Sequence, residues 1–377
     1  MPGNEIIGKE EFSELKKIFT ASNGVLFAHA FDKRRKRIFR IRIFEKKLAN
    51  FFRADFVQCV SSGTAAIKIA LKAIGVKPGD EVITQGFNFI ATIEAILDVG
   101  AVPIITNIDD TLNMCPKDLK KKISSKTKAV IPVHMLGFSA DMEKIKQICK
   151  KKKIPILEDN CESVGAKFKN KFLGTLGDVG VLSFDFGKNI TTGEGGAILT
   201  NKQKIFKYSR EYHDHGHELN PKLPRGLDTV KIFGFNYRMT EMQGAIGIAQ
   251  LKKLNFILKE NKFRYKILEN LISKKFKIRK KIKFNEPSYD TFMFEVDNSR
   301  KKKKIINFLK KNNIGTKNVP DALKWHFATY WKHAIKKSQI NSLDKSAKKI
   351  HNYIAIPILI KKNINIYKKI ANYINKI

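Results

Sequence analysis

Acidic side chains are scarce in this chain: 35 aspartates and glutamates stand against 73 lysines and arginines, a formal net charge of +38 over 377 residues. Cysteine is scarcer, with only Cys59, Cys115, Cys149 and Cys161, and no C-x-x-C pair. That excludes a disulfide-stapled mini-protein and leads us to expect buried, reduced thiols in a cytoplasmic protein. No run of about 18 apolar residues is present, so no spanning helix is expected. The opening MPGNEIIGKEEF lacks a charged stretch followed by an apolar one, so no secretory signal is expected either. With 43% hydrophobic and 10% aromatic residues, the chain is neither disordered nor fibrous. Its length allows a sizeable core without staples. The positive field would attract nucleic acid, anionic membranes or acidic metabolites. The lysines, however, recur on almost every polar face (Lys120–Lys122, Lys150–Lys153, Lys301–Lys304). Scattered lysines of this kind point to a genome rich in A and T more than to one binding surface.

Short apolar runs alternate with helix-period stretches from about residue 45 to 255. Phe56–Val60, Glu81–Thr84, Val102–Asn107, Ala129–Val133, Ile154–Glu158 and Val179–Phe184 read as strands. Ala65–Ile74, Ala91–Val99, Pro116–Ile123 and Met142–Lys151 space their apolar residues by three and four, as helices do. This alternation predicts a mostly parallel sheet covered on both faces. Beyond about Leu254 the pattern changes to a long helix over Phe256–Lys275, a strand over Tyr289–Val296 and a helix over Lys302–Lys311. We therefore expect an N-terminal segment and large domain over residues 1–255, and a smaller α/β domain over 256–377.

Three fragments carry chemistry. Ser61-Ser62-Gly63-Thr64-Ala65-Ala66 follows a strand and opens a helix, where free amides and hydroxyls can seat an anion. The same residues could merely cap the helix. Asp159 ends the strand Ile154–Leu157 and its continuation, where open parallel sheets bind ligands, or it caps a turn. Lys188 lies between the strand Val179–Phe184 and the turn Gly193–Gly196, and a desolvated lysine there is a candidate nucleophile. In a chain this rich in lysine, a solvated side chain is the ordinary alternative. Taken together, an anion seat, an acid and a lysine on one sheet are what pyridoxal 5′-phosphate (PLP) requires for its phosphate, its pyridine nitrogen and its aldehyde.

VSSGTAA (60–66), KPGDEVITQGFNFIATIEAI (77–96), VHMLGFSADM (133–142), EDNCESVGA (158–166), LGDVGVLSFDFGKNITTGEGG (176–196) and FNYRMTEMQGAIGIAQL (235–251) occur in this order. The sequence resembles the DegT/DnrJ/EryC1/StrS family of sugar aminotransferases. The resemblance implies PLP and the α/β transferase fold type I, with a large, mostly parallel sheet of about seven strands and a smaller C-terminal α/β domain. It implies that Lys188 bonds to the cofactor aldehyde and later shuttles a proton. Asp159 would pair with the pyridine N–H, and Phe89 would stack on the ring. Thr64, Ala65 and Ser183 would hold the phosphate, and Asn236 would reach the phosphate of a neighbouring subunit in a dimer with shared sites. Glu162 stands where the family commonly has Gln or His, and a carboxylate beside the cofactor's phenolic oxygen would push that group toward protonation.

His213, His215 and His217 form a metal-like run, but glycine and proline around them predict a loop, and no metal is expected. His215-Gly216 matches a His-Gly of the family and implies a substrate-facing loop. Asp32–Lys47 reads as an amphipathic helix that buries Ile38, Ile41 and Phe44 and solvates its arginines, against the alternative of a basic nucleic-acid patch. The resemblance implies a transaminase acting on a keto- or aldehydo-sugar, with glutamate as donor, in lipopolysaccharide or other surface-polysaccharide synthesis. GVLFAHAFD (24–32), YHDHGHELNPKLPRG (212–226) and SFDFGK (183–188) resemble a branch that aminates C8 of an oxidised 3-deoxy-octulosonate, giving an 8-amino-3,8-dideoxy-octulosonate. Nucleotide-linked hexoses are the family's default substrates. A sugar 3-dehydratase of the same family is a rival, although there a His replaces the lysine. A nucleic-acid-binding protein is a rival of another class, with salt-sensitive binding but no reading head in the sequence.

Overall fold

The computed structural model describes residues 2–220 and 222–377; Met1 and Pro221 lie outside the described residues. Seven strands build the main sheet: β1 (Phe56–Val60), β2 (Glu81–Gln85), β3 (Val102–Thr106), β4 (Thr127–Val130), β5 (Leu157–Asp159), β6 (Val179–Ser183) and β7 (Gly196–Thr200). A three-stranded run, β3-β2-β4, and a four-stranded run, β5-β6-β7-β1, join where the chain beyond β4 pairs in parallel with β5, at Val130↔Ile156 and Val133↔Asp159. All neighbours are parallel except β7, which runs against both β6 and β1. Every residue of β5, β6 and β7 is buried. That explains why β6 and β7 read as mostly apolar runs and not as alternation.

Helices surround this sheet and the C-terminal part, among them α1 (Lys9–Ala21), α2 (Arg40–Phe52), α3 (Gly63–Ala73), α4 (Ala91–Asp98), α5 (Pro116–Lys122), α6 (Met142–Lys152), α7 (Gln203–Tyr212), α8 (Glu241–Ile272), α9 (Ser299–Lys311) and α10 (Asn365–Lys376). The strand period of two divides the core between the faces. Val60, Val181 and Ile198 pack with Ile67 and Leu71 of α3 and Ile205 of α7. Val57, Leu182 and Leu199 pack with Phe44 and Leu48 of α2 and Leu254 of α8. A separate core gathers Leu268 of α8, Phe292 of β8 (Thr291–Glu295), Ile356 of β9 (Tyr353–Pro357), Ile305 of α9 and Ile370 of α10.

Two expectations change. The helix expected over Phe256–Lys275 is the second half of α8, which begins at Glu241. Thr240 and Gln243 exchange hydrogen bonds at its start, with Gln243 Oε1 accepting the Thr240 amide at 2.7 Å, a reciprocal cap that fixes the helix start. The helix expected over Asp32–Lys47 starts only at Arg40. Lys36 and Arg37 adopt φ of 52° and 57°, which ends any helix there. Glu241 then caps α2 by accepting the Arg40 and Ile41 amides at 2.6 and 3.3 Å. Arg35 is fully buried, not solvated. It donates to the Phe27 carbonyl at 2.7 Å, lies 3.5 Å from Glu241 and stacks 3.9 Å from the Phe39 ring centre.

Among the described residues no helix is long and apolar enough to cross a membrane. All four cysteines are unpaired, with Cys59 and Cys149 buried and Cys115 and Cys161 half-buried.

Candidate active site

The C-terminal ends of β1, β5, β6 and the extension of β4 meet on one side of the sheet, where side chains of different strands converge. A cavity of about 650 Å³ opens there, lined by Thr64, Phe89, Asp159, Glu162, Ser183 and Lys188 among others. These six expected residues, distant in sequence, share one space. Ala65 lies just behind it, where its amide donates to Ser62 Oγ at 3.1 Å and so caps α3. Asn236 and His215 do not line the cavity of their own chain. Both are exposed, on a segment where Asp214 and Asn236 pair antiparallel and the His215 amide donates to the Phe235 carbonyl at 3.2 Å.

The first turn of α3 leaves its leading amides without helical acceptors. Among the described residues, the Gly63 and Thr64 amides have no partner, so both are available to an anion. Gly63 is required by crowding: a Cβ there would lie 2.9 Å from Ser183 Cβ and 3.2 Å from Cys161 Sγ. This absence of a side chain lets the β1–α3 turn approach the end of β6 and brings the Ser183 hydroxyl to the seat.

Asp159 is 3% exposed at the end of β5. Thr92 Oγ1 donates to its Oδ2 at 2.8 Å and the Cys161 amide to its Oδ1 at 3.1 Å. Each oxygen keeps a further lone pair for a donor in the cavity. Across the cavity, Lys188 Nζ donates to Glu162 Oε1 at 2.5 Å, while Lys317 Nζ lies 3.8 Å from Glu162 Oε2. Glu162 Oε2 is buried and has no hydrogen-bond partner. Burial opposes the charge on both members of the pair. For Lys188, the Glu162 carboxylate outweighs burial and raises the amine above the usual lysine range. For Glu162, Lys188, Lys317 and His326 together outweigh burial and hold the carboxyl down at about 2. Phe89 keeps 41% of its surface exposed, and its ring centre lies 5.2 Å from that of His326.

Thr92, Lys317 and His326 line the cavity but were not singled out from the sequence. Thr92 sits three residues beyond Phe89 in FNFIATIEAI, a signal that was readable. Lys317 is one of many lysines in a basic stretch and carries no local signal. The metal-like run is split in space. His213 Nδ1 faces the Arg210 carbonyl at 2.6 Å, His215 is exposed, and His217 Nδ1 faces Asp228 at 3.0 Å. Among the described residues no three His, Cys, Asp or Glu side chains gather as metal ligands.

The DegT/DnrJ/EryC1/StrS aminotransferase family matches residues 37–374. GDP-perosamine synthase of Escherichia coli O157:H7 is 40% identical over 214 residues, 56% of this chain and 57% of that protein. The 3-oxo-glucose-6-phosphate:glutamate aminotransferase of Bacillus subtilis strain 168 is 37% identical over 214 residues, 56% of this chain and 47% of that protein. The chain thus spans about half the length of the curated relatives it matches. In structure it is similar to E. coli GDP-4-keto-6-deoxy-D-mannose-3-dehydratase with bound hydrated PLP, with a TM-score of 0.83 at 22% identity over 99% of this chain and 98% of that one. That likeness shows the fold, the type I transferase architecture expected from the sequence.

Proposed function

Since this chain belongs to the DegT/DnrJ/EryC1/StrS aminotransferase family, we propose that it is a PLP-dependent transaminase that converts a keto- or aldehydo-sugar into an amino sugar. The observation that carries this reading is the convergence of an amide-rich helix start, a buried carboxylate and a buried lysine on one cavity. Bound PLP supplies an aldehyde for amines and a ring that draws off electrons as a C–H bond breaks. In this reading the Gly63 and Thr64 amides and the Thr64 and Ser183 hydroxyls bind the phosphate, and Ala65 holds the seat through Ser62. Asp159 keeps the pyridine nitrogen protonated, and Phe89 covers one ring face. Lys188 carries the cofactor and then moves the proton. Glu162, on the cavity wall beside Lys188, would face the phenolic edge of the ring.

The same fold serves the E. coli dehydratase, so fold alone does not choose between the two reactions. Lys188 favours amino transfer, because the family's dehydratases are expected to have His there. Glutamate is the proposed donor, in keeping with the name of the B. subtilis relative. For the acceptor we propose C8 of an oxidised 3-deoxy-octulosonate, as a step toward surface polysaccharide. Two segments that carry this resemblance, 24–32 and 212–226, meet in space: His29 Nε2 lies 3.4 Å from His213 Nε2 and 3.5 Å from Asp214 Oδ2. Nucleotide-linked ketosugars are the second reading, favoured by the GDP-perosamine synthase relative.

The working unit is proposed to be a cytoplasmic homodimer. Leu227, Val230, Phe233 and Phe235 are exposed on the segment that carries Asn236, an apolar surface of the kind that marks a protein interface. Within each chain we propose a division at residue 255 into a cofactor-binding part and a smaller C-terminal part, supported by the separate core around Phe292.

Borohydride reduction of the purified yellow protein, followed by peptide mapping, tests the centre of the reading. The label is expected on Lys188, and a label on another lysine overturns the site. An acceptor screen with glutamate then compares octulosonate with UDP-, GDP- and dTDP-ketosugars. Turnover of a nucleotide sugar alone would replace the octulosonate assignment.

A further inference from the structure

Glu162 lies between two lysines. Its Oε1 bonds Lys188 Nζ at 2.5 Å, and its Oε2 lies 3.8 Å from Lys317 Nζ without a hydrogen-bond partner. The three side chains are 7%, 16% and 10% exposed for Glu162, Lys188 and Lys317. Lys317 is itself fixed from behind. Asp290 Oδ2 accepts from its Nζ at 2.6 Å, Ser288 Oγ donates to Asp290 Oδ1 at 3.2 Å, and the Lys317 amide donates to the Ala355 carbonyl of β9 at 2.9 Å. Two ammonium groups and two carboxylates therefore balance in one buried row.

That balance depends on the Lys188 charge being reserved for Glu162. When its amine bonds to carbon, its charge is no longer reserved for Glu162. A buried carboxylate without a cation is costly and takes up a proton instead. We propose that Lys317 is a positioning residue for Glu162, holding that carboxylate ionised and in place at the cavity wall once Lys188 is committed to the cofactor. The proposal rests on the reading of Lys188 as the cofactor-bearing residue.

The other titratable groups facing Glu162 do not supply a cation. Asp159, Asp185 and Cys161 line the same cavity. The two carboxylates would disfavour the Glu162 charge. Burial pushes the Cys161 thiol far above its usual range, so it stays neutral. Burial likewise lowers His326, so it is neutral at pH 7 and adds positive charge beside Glu162 only at acid pH. At pH 7 Lys317 is the cation that remains. Its distance also fits the role: 3.8 Å is close enough for Coulomb attraction and too long for a hydrogen bond. Lys317 acts through Glu162 and reaches that position from the C-terminal part of the chain.

The test removes the Lys188 charge by substitution. In the full-length Lys188→Ala chain, free of cofactor, the side-chain carboxylate of Glu162 is titrated by ¹³C NMR, with Glu162→Gln identifying its signal. It is expected to titrate below the ordinary glutamate range of about 4.3. Adding Lys317→Gln together with Asp290→Asn, which removes the second cation without stranding Asp290, should raise that titration by about 1–3 pH units. Lys317→Arg in the Lys188→Ala background should keep it low. If the Gln/Asn combination leaves the Glu162 titration in place, the proposal is overturned. Should that combination not fold, Lys317→Gln alone in the cofactor-loaded Lys188 chain decides the matter. The acid limb of kcat against pH should move up by about the same amount and return in Lys317→Arg. A merely structural lysine would lower kcat at every pH and leave the limb where it was, which also overturns the proposal. The NMR titration does not depend on which sugar is aminated. An unmoved titration therefore defeats this inference alone, whereas a borohydride label away from Lys188 defeats the reading beneath it.

Discussion

Asp159 bonds its own turn and faces the cavity at once. The Cys161 amide bonds its Oδ1 at 3.1 Å, which is the ordinary work of an aspartate after a strand. Thr92 bonds its Oδ2 at 2.8 Å, and this second contact, from α4, turns the carboxylate toward the cavity. If Asp159 holds the proton on a pyridine nitrogen, Asp159→Asn keeps the shape and removes the charge. The ring then becomes a poorer electron sink. We expect kcat to fall at least about a hundredfold, about 2.7 kcal/mol of transition-state stabilisation, with a smaller change in cofactor affinity. If Asp159 only caps its turn, the substitution costs about 1 kcal/mol of stability and leaves turnover near normal. Single-turnover half-reactions with glutamate, beside thermal melts, separate the two outcomes. Asp159 was legible because it ends a strand and Lys188 because it follows one, each inside a distinctive motif. Lys317 was not, because nothing local distinguishes it from dozens of solvated lysines; only its contacts with Asp290 and Glu162 do so.

At the scale of the element, the β1–α3 turn is the feature the sequence announced most directly: a strand, small residues and an apolar helix. Its geometry depends on Gly63. A methyl group there meets Ser183 Cβ at 2.9 Å and Cys161 Sγ at 3.2 Å, so Gly63→Ala should push the helix start away from the end of β6. Overpacking of this kind costs about 1–3 kcal/mol. The more telling outcome concerns the phosphate. Affinity for PLP should fall at least about tenfold, about 1.4 kcal/mol, while affinity for pyridoxal, which lacks the phosphate, stays within about twofold. Fluorescence titrations of both ligands measure this, and an equal loss for both would show that the turn does not seat the phosphate. Other elements were read less well, for physical reasons. β7 is buried throughout, and burial carries no information about direction. The start of α8 depends on a reciprocal Thr240–Gln243 cap lying inside the FNYRMTEMQ motif. The basic stretch before α2 looked helical because its charge pattern is amphipathic. Glu241, two hundred residues away in sequence, decides where that helix begins, by accepting the Arg40 and Ile41 amides.

At the scale of the molecule, one chain brings six expected residues to the cavity, while Ala65 lies just behind it and His215 and Asn236 stand away from it. Asn236 is exposed on a segment tied to the end of β1, where the Ser61 amide donates to the Tyr237 carbonyl at 2.8 Å. Phe233 and Phe235 beside it are 67% and 43% exposed. A residue beside an exposed apolar surface, close to the sheet edge that holds the cofactor seat, is well placed to serve a neighbour. No sequence pattern separates that arrangement from a loop that serves its own chain, because the motif is the same in both. Subunit mixing separates them. A Lys188→Ala chain lacks the reacting amine but offers an intact Asn236, and an Asn236→Ala chain lacks the phosphate contact but keeps Lys188. Each homodimer should be inactive or nearly so. In a mixed dimer with sites shared across a two-fold axis, one site carries both lesions and the other carries neither. Random exchange of equal amounts makes half the dimers mixed, so specific activity should recover to about a quarter of the unmodified protein's. Exchange is verified by native mass spectrometry of differently tagged chains before activity is read. Recovery to that level places Asn236 in its neighbour's site. No recovery after verified exchange would mean that Asn236 acts in its own chain or not at all.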